Sequence, residues 1–160
     1  MAIAEGDRIP DVQLMTTTGG RPTPVRSGEV LGRGKVVLFA VPGAFTPTCS
    51  DHHLPGFVLR AEELRQKGVG TIACVSVNDP FVMDAWGSDR GVGDDVLMLA
   101  DGNGEFTEAM GLTMDGSSFG LGTRSQRYAA VIDDGVVTAL RVESGPGLDV
   151  SSAESVLAII

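Results

Sequence analysis

Val41-Pro42-Gly43-Ala44-Phe45-Thr46-Pro47-Thr48-Cys49 decides how this chain is read. The apolar run 36–41 delivers the backbone to a Pro-Gly break, after which a helix is expected. Thr46 is suited to the N-cap and Pro47 to the first helical position, where its missing N–H is no loss. Cys49 then stands at the third helical position, its sulfur near unpaired N–H groups and the positive end of the helix dipole. A capping box would carry Glu or Gln there. With a thiolate in place of that carboxylate, the segment reads as a device for ionising one cysteine and exposing it.

The 160 residues suffice for a substantial core and suggest a single domain, 1–160. The composition is 42% hydrophobic but only 5% aromatic, so aliphatic side chains must fill that core. A net charge of −9 disfavours nucleic acid and anionic membrane surfaces as partners. No window approaches the ~18 apolar residues of a spanning helix. The start, Met1-Ala2-Ile3-Ala4-Glu5-Gly6-Asp7, lacks the basic and apolar regions of a secretory signal. Two cysteines are too few for a disulfide scaffold, which fits a reducing cytoplasm.

Elements follow from periodicity and punctuation. An extended N-terminal segment with a Gly19-Gly20 turn precedes a buried strand at 35–41. The Cys49 helix is expected to break at Pro55-Gly56, resume over 57–67 and stop at Gly68. Residues 71–77 read as a strand buried on both faces. Asn78 or Asp79 caps a helix that runs from Pro80 to about Arg90. A strand at 96–100 and a helix over 104–110, closed by Gly111, come next. Residues 113–122 form the longest irregular loop. Residues 128–132 and 136–142 pair as a hairpin across Asp133-Asp134-Gly135. Ser151 or Ser152 caps a last helix, 153–160. This order indicates a layered α/β protein.

A thiol of ordinary pKa, ~8.5, is only a few per cent ionised at neutral pH, and making it mostly thiolate takes roughly 2–3 kcal/mol. A helix terminus supplies ~0.3–1 kcal/mol and at most ~2. A cation is therefore expected beside Cys49, and Lys35, Arg124 and Arg127 all qualify on sequence alone. His52 and His53 stand three and four residues on, so either could approach the sulfur. Adjacent helical histidines point ~100° apart, which argues against a metal shared with Cys49. No metal or other cofactor is expected. Cys74 lies mid-strand among Ile72, Ala73, Val75 and Val77 and reads as a small core residue. It falls three residues, about 10 Å, short of its strand end, beyond the ~7 Å that a disulfide spans. A resolving role for Cys74 would require local unfolding.

Residues 42–49, with the continuation Ser50-Asp51-His52-His53-Leu54-Pro55-Gly56-Phe57, closely resemble the active-site signature of peroxiredoxins of the type II, peroxiredoxin-five-like group. Val75-Ser76-Val77-Asn78-Asp79, Trp86-Gly87 and Arg127-Tyr128 match in order, so the resemblance covers nearly the whole chain. It implies a thioredoxin-like fold, a central mixed sheet flanked by helices. It implies a thiol peroxidase that reduces hydrogen peroxide and organic hydroperoxides through a cysteine sulfenic acid on Cys49. Arg127 would be the cation, with Arg124 second. Thr46 would accept from the peroxide and Pro42 would shield the sulfur. Thr48, Gly43 and Phe45 would line the substrate site, and His53 would support it. The resemblance also implies a homodimer built on loops near the site, with Phe45, Trp86 and the 113–122 loop as candidate contacts, or with Trp86 in the core instead. Some type II members carry a second cysteine just before the last helix. Here the segment reads Gly147-Leu148-Asp149-Val150-Ser151, which points to recycling by an external thiol, glutathione with glutaredoxin ahead of thioredoxin. The alternatives are a thiol–disulfide oxidoreductase, which would usually carry a second cysteine where Thr46 stands, and a non-catalytic redox sensor.

Overall fold

The computed structural model describes all residues, 1–160. Seven strands make one mixed sheet: β1 (Gln13–Thr18), β2 (Arg21–Arg26), β3 (Lys35–Ala40), β4 (Val69–Ser76), β5 (Leu97–Ala100), β8 (Tyr128–Asp133) and β9 (Val136–Val142). Their order across the sheet is β2-β1-β5-β4-β3-β8-β9. β3, β4 and β5 are parallel, and the outer pairings are antiparallel. The helices are α1 (Ser27–Val30), α2 (Leu54–Leu59), α3 (Ala61–Gln66), α4 (Pro80–Asp89), α5 (Glu105–Met110) and α6 (Ala153–Leu157). A two-stranded ribbon, β6 (Thr113–Asp115) with β7 (Thr123–Ser125), stands apart from the sheet. The expected layered arrangement, a central mixed sheet flanked by helices, is present.

The period-2 geometry of strands divides the core in two. Val37, Phe39 and Val41 face one cluster with Ile72, Cys74, Phe57, Leu64, Met83, Trp86 and Cys49. Val36, Leu38 and Ala40 face the other with Ala73, Val75, Leu99, Phe106, Met110 and Tyr128. The scarcity of aromatics is offset by where they sit. Phe39 and Phe57 stack with centroids 4.1 Å apart, and Trp86 is fully buried. Burial of each such side chain contributes roughly 1.5–3 kcal/mol.

Four expectations need correction. The helix does not break at Pro55-Gly56: α2 runs through both, and the interruption falls at Arg60, between α2 and α3. A π-helical turn, Cys49–His53, precedes Leu54, whose N–H reaches Cys49 O. Widening that turn accommodates a proline that has no N–H to give to the preceding turn. The 113–122 loop is largely ordered, as β6 and a 3₁₀ turn at Ser117–Phe119. α6 ends at Leu157, three residues early. Trp86 is not an exposed contact, since its ring is in the core and Nε1 donates to Ser50 Oγ at 2.9 Å.

Phe57→Ala removes one member of the Phe39–Phe57 stack and is expected to cost about 3–5 kcal/mol in denaturant unfolding. A loss below about 1 kcal/mol would show that the stack does not anchor α2.

Candidate active site

The loop 41–48 leaves the carboxyl end of β3 between two neighbours. β4 pairs with β3 in parallel, and β8 pairs in antiparallel register with Ala40 opposite Tyr128. Arg127, immediately before β8, is therefore brought to the point where the loop begins. Lys35 opens β3, at the far end of the same strand, and cannot serve the site. This register selects Arg127 from the three cations that the sequence allows.

Helical backbone starts at Pro47, as expected, and Ser50 N–H donates to Thr46 O at 2.8 Å. The Thr46 hydroxyl does not cap the helix as expected: it turns back to donate to Gly43 O at 2.7 Å, and its oxygen lone pairs are left for another donor. Asn78, just past β4, accepts from Ala44 N–H at 3.0 Å and from Ser76 Oγ at 2.6 Å, tying the loop to the sheet. Asp79, not Asn78, caps α4, accepting from Val82 N–H. Phe45 holds φ +64° and is half exposed, its ring tilted against Trp86 at 6.5 Å. A Cβ on Gly43 would lie 3.1 Å from Arg124 Nη1 and 3.2 Å from Thr46 Cγ2, so the turn favours glycine.

Cys49 is buried, with none of its surface exposed, which corrects the expectation of an exposed thiol. The first helical turn faces the sheet, and Cys49 packs with Val37, Val41 and Leu54 in the same cluster. Arg127 Nη2 donates to Cys49 Sγ at 3.0 Å. Nη1 of the same guanidinium reaches His53 Nδ1 at 2.9 Å, and His53 Nε2 reaches Ser151 O at 2.9 Å. Arg127 is itself 6% exposed, and none of the ion pairs in the molecule includes it. A buried cation without an anion is costly by several kcal/mol. The sulfur and the His53 ring are the groups its Nη atoms meet. Arg127 Nε has no protein partner, so one buried donor remains to be satisfied.

The bonding assigns the imidazole. Ser151 O can only accept, so His53 Nε2 carries the proton; Arg127 can only donate, so Nδ1 is bare. His53 is 1% exposed and lies tilted between Phe39 and Phe57, at 5.0 and 5.6 Å. Burial first, then the Arg127 charge, push its pKa down to about 3, against the opposing Ser151 hydrogen bond and Glu143 charge. His53 is thus neutral at physiological pH. His52, beside it, is exposed and makes no contact with the sulfur.

Arg124 does not reach Cys49. Its Nε donates to Leu121 O at 2.9 Å and Nη1 to Pro42 O at 3.3 Å, so it braces the loop instead. Cys74 pairs in register with Phe39 and faces the same core cluster as Cys49. Burial, with the Cys49 charge added, holds its thiol well above the ordinary value, although Arg127 opposes this. Both cysteines are free. Sequence reasoning missed Asn78 as a loop anchor and Glu143 altogether, and it read Ser151 only as a possible cap of the last helix, a role Ser152 takes. An Asn two residues past a strand was the one available signal for the first; nothing local marked Glu143.

Residues 4–157 match the Redoxin family model, and the chain belongs to that family. Peroxiredoxin-2E, chloroplastic, of Arabidopsis thaliana is 52% identical over 98% of this chain and 68% of its own length. Peroxiredoxin-2B of the same plant is 49% identical over 97% and 96%. Reduced Prx3 of Vibrio vulnificus in complex with H2O2 superposes with a TM-score of 0.94 at 52% identity, covering 98% of both chains. A Burkholderia cenocepacia structure described as a putative thioredoxin reductase gives 0.96 at 48% identity, over 100% and 99%. The fold is thioredoxin-like, and the chain is a thiol peroxidase of the peroxiredoxin kind.

His53 gives the site a measurable acid sensitivity. An unfolded histidine titrates near 6.5 and the folded one near 3, so between these values only the unfolded chain binds the proton. The His53 contribution to stability is therefore level above about pH 7 and falls as the pH drops below 6.5. From pH 7 to pH 5 the loss is about 2 kcal/mol. Urea unfolding across that range checks it, and His53→Gln should flatten the slope. An equal slope in the variant would assign the sensitivity elsewhere.

Proposed function

We propose that Cys49 is the peroxidatic nucleophile and that Arg127 is its electrostatic partner. The observation that carries this reading is the 3.0 Å contact between Cys49 Sγ and a buried guanidinium that has no carboxylate partner. The thiolate attacks the terminal oxygen of a hydroperoxide in line with the O–O bond. An S–O bond forms, the O–O bond breaks, and the sulfenic acid retains the hydroxyl proton. The alkoxide or hydroxide leaves and takes a proton from solvent. Charge moves from sulfur to oxygen, so donors aimed at the peroxide lower the barrier. Arg127 and the N–H groups of Thr48 and Cys49 in the first helical turn are suited to this. Thr46 Oγ1, its own proton committed to Gly43 O, accepts from the peroxide O–H. Pro42, Gly43 and Phe45 border the approach to the buried sulfur.

The cycle is completed by an external thiol. Cys74 is locked mid-strand, and the 147–151 segment carries no cysteine. A thiol such as glutathione attacks the sulfenic sulfur and releases water. A second thiol, from glutathione or glutaredoxin, then attacks the mixed disulfide and returns the thiolate. Thioredoxin is the alternative donor, and a reducing compartment such as the cytoplasm suits both. Exposed Phe45 and Phe119, on the site loop and beside β6, support a homodimer contact there. The domain acts as a unit over 1–160. The oxidoreductase alternative is weakened because Thr46 holds the place of a second cysteine, three before Cys49.

Cys49→Ser is expected to abolish peroxide consumption, and Cys74→Ser to retain most of it. Arg127→Ala should slow sulfenic acid formation by about 10²-fold or more, the scale of losing one aligned donor. Arg124→Ala should slow it far less; the reverse order would exchange the two roles.

After one equivalent of peroxide without reductant, intact mass should show Cys49 sulfenic acid, passing to sulfinic acid with excess peroxide. Glutathione should convert the sulfenic acid to a mixed disulfide. Rapid, quantitative Cys49–Cys74 disulfide formation would refute the one-cysteine cycle.

A further inference from the structure

Glu143 follows directly on β9, and its N–H donates to Arg127 O at 2.9 Å. It is therefore the cross-strand neighbour of the arginine that holds the sulfur. Its carboxylate turns away from that strand and gathers the segment before α6. A single oxygen, Oε2, accepts from the N–H groups of Asp149, Val150 and Ser151, each at 2.9 Å, and from Ser151 Oγ at 2.7 Å. Ser151 is fully buried, and its carbonyl receives His53 Nε2. The contacts close a ring: Arg127 backbone, Glu143, Ser151, His53, and back to Arg127 Nη1. A neutral amide oxygen has two lone pairs and no net charge, so only a carboxylate suits four donors at one atom.

We propose that Glu143 is a positioning residue for Cys49: by gathering Asp149, Val150 and Ser151 it presents the Ser151 carbonyl to His53, whose bare Nδ1 holds the Arg127 guanidinium on the sulfur. This rests on the reading that Cys49 is the reacting thiol. The guanidinium can rotate, and its Nε has no partner, so the His53 contact is what fixes which nitrogen meets Sγ. Burial works to raise the Glu143 pKa, but the hydrogen bonds from the Ser151 hydroxyl and the three N–H groups outweigh it and hold the carboxyl below its ordinary value. The clamp is thus ionised throughout the neutral range.

The test compares the full-length protein with Glu143→Ala, Glu143→Gln and Ser155→Ala. Ser155→Ala removes different bonds of the same segment, Ser155 Oγ to Asp149 O and Ser152 Oγ to Ser155 Oγ, both at 2.9 Å, and leaves the carboxylate in place. Two readouts are taken: Cys49 alkylation by iodoacetamide as a function of pH, and the ¹⁵N shifts of the His53 imidazole. Glu143→Ala should slow alkylation at pH 6 about tenfold, with recovery at alkaline pH, the effect of one unit in the ionisation equilibrium. The imidazole should lose its single Nε2–H pattern. Glu143→Gln should move both readouts part of the way, and it decides the matter if the alanine variant does not fold. Ser155→Ala should move neither. Wild-type alkylation and imidazole shifts in a folded Glu143 variant would overturn the proposal. So would a change of the same size in Ser155→Ala, which would trace the effect to loop order in general. If the wild type alkylates normally but consumes no peroxide, the peroxidase reading fails, while the comparison still decides the role of Glu143.

Discussion

The site depends on one buried guanidinium. Arg127 spans a sulfur on one side and an imidazole nitrogen on the other, with no carboxylate in reach. A buried charge is costly unless its neighbours offset it, and the groups that Arg127 meets are the Cys49 sulfur and the His53 ring. A carboxylate partner would have drawn the guanidinium away from the sulfur.

That arrangement needs support from several directions. The β3–β8 register sets Arg127 beside the loop that carries Cys49. The Phe39–Phe57 stack and the π-helical turn set the His53 ring against the guanidinium. Because His53 is kept neutral by burial, it accepts from Arg127 and does not repel it. A histidine in this place is therefore a hydrogen-bond acceptor for the arginine, not a base for the thiol. The same cluster that stabilises the fold dries the site, and a dry site strengthens each contact to the sulfur.

Burial of Cys49 also separates this site from a surface thiol. Reactivity toward bulky electrophiles falls when a sulfur has no exposed surface, while a small peroxide with two oxygens can exploit donors converging on one point. Cys74, in the same cluster, shows the contrast. It is equally buried but has no donor aimed at it, and its thiol stays protonated. Two cysteines of one core differ in environment, because only Cys49 meets a cation.

Local chemistry was legible in the chain itself. The helix start at Pro47, the buried strands, the Asp133-Asp134-Gly135 hairpin and the Cys49 position follow from short-range rules of helix starts, turn residues and period-2 burial, which act within a few residues. The resemblance in residues 42–57 added the peroxidase chemistry, and the match at Arg127-Tyr128 pointed to Arg127. Other features lay beyond reach because they join residues distant in sequence. The burial of Cys49 depends on which face of the helix meets the sheet. The break at Arg60 in place of Pro55-Gly56 depends on a π-helical turn that no propensity encodes. The neutral state of His53, and the path from Glu143 through Ser151 to Arg127, exist only once β9 has paired with β8 and the chain has returned to α6. Sequence alone determined which residue could be the nucleophile; the tertiary structure decided which cation meets it and what holds that cation still, because hydrogen bonds across 74 and 98 positions are made only by the fold.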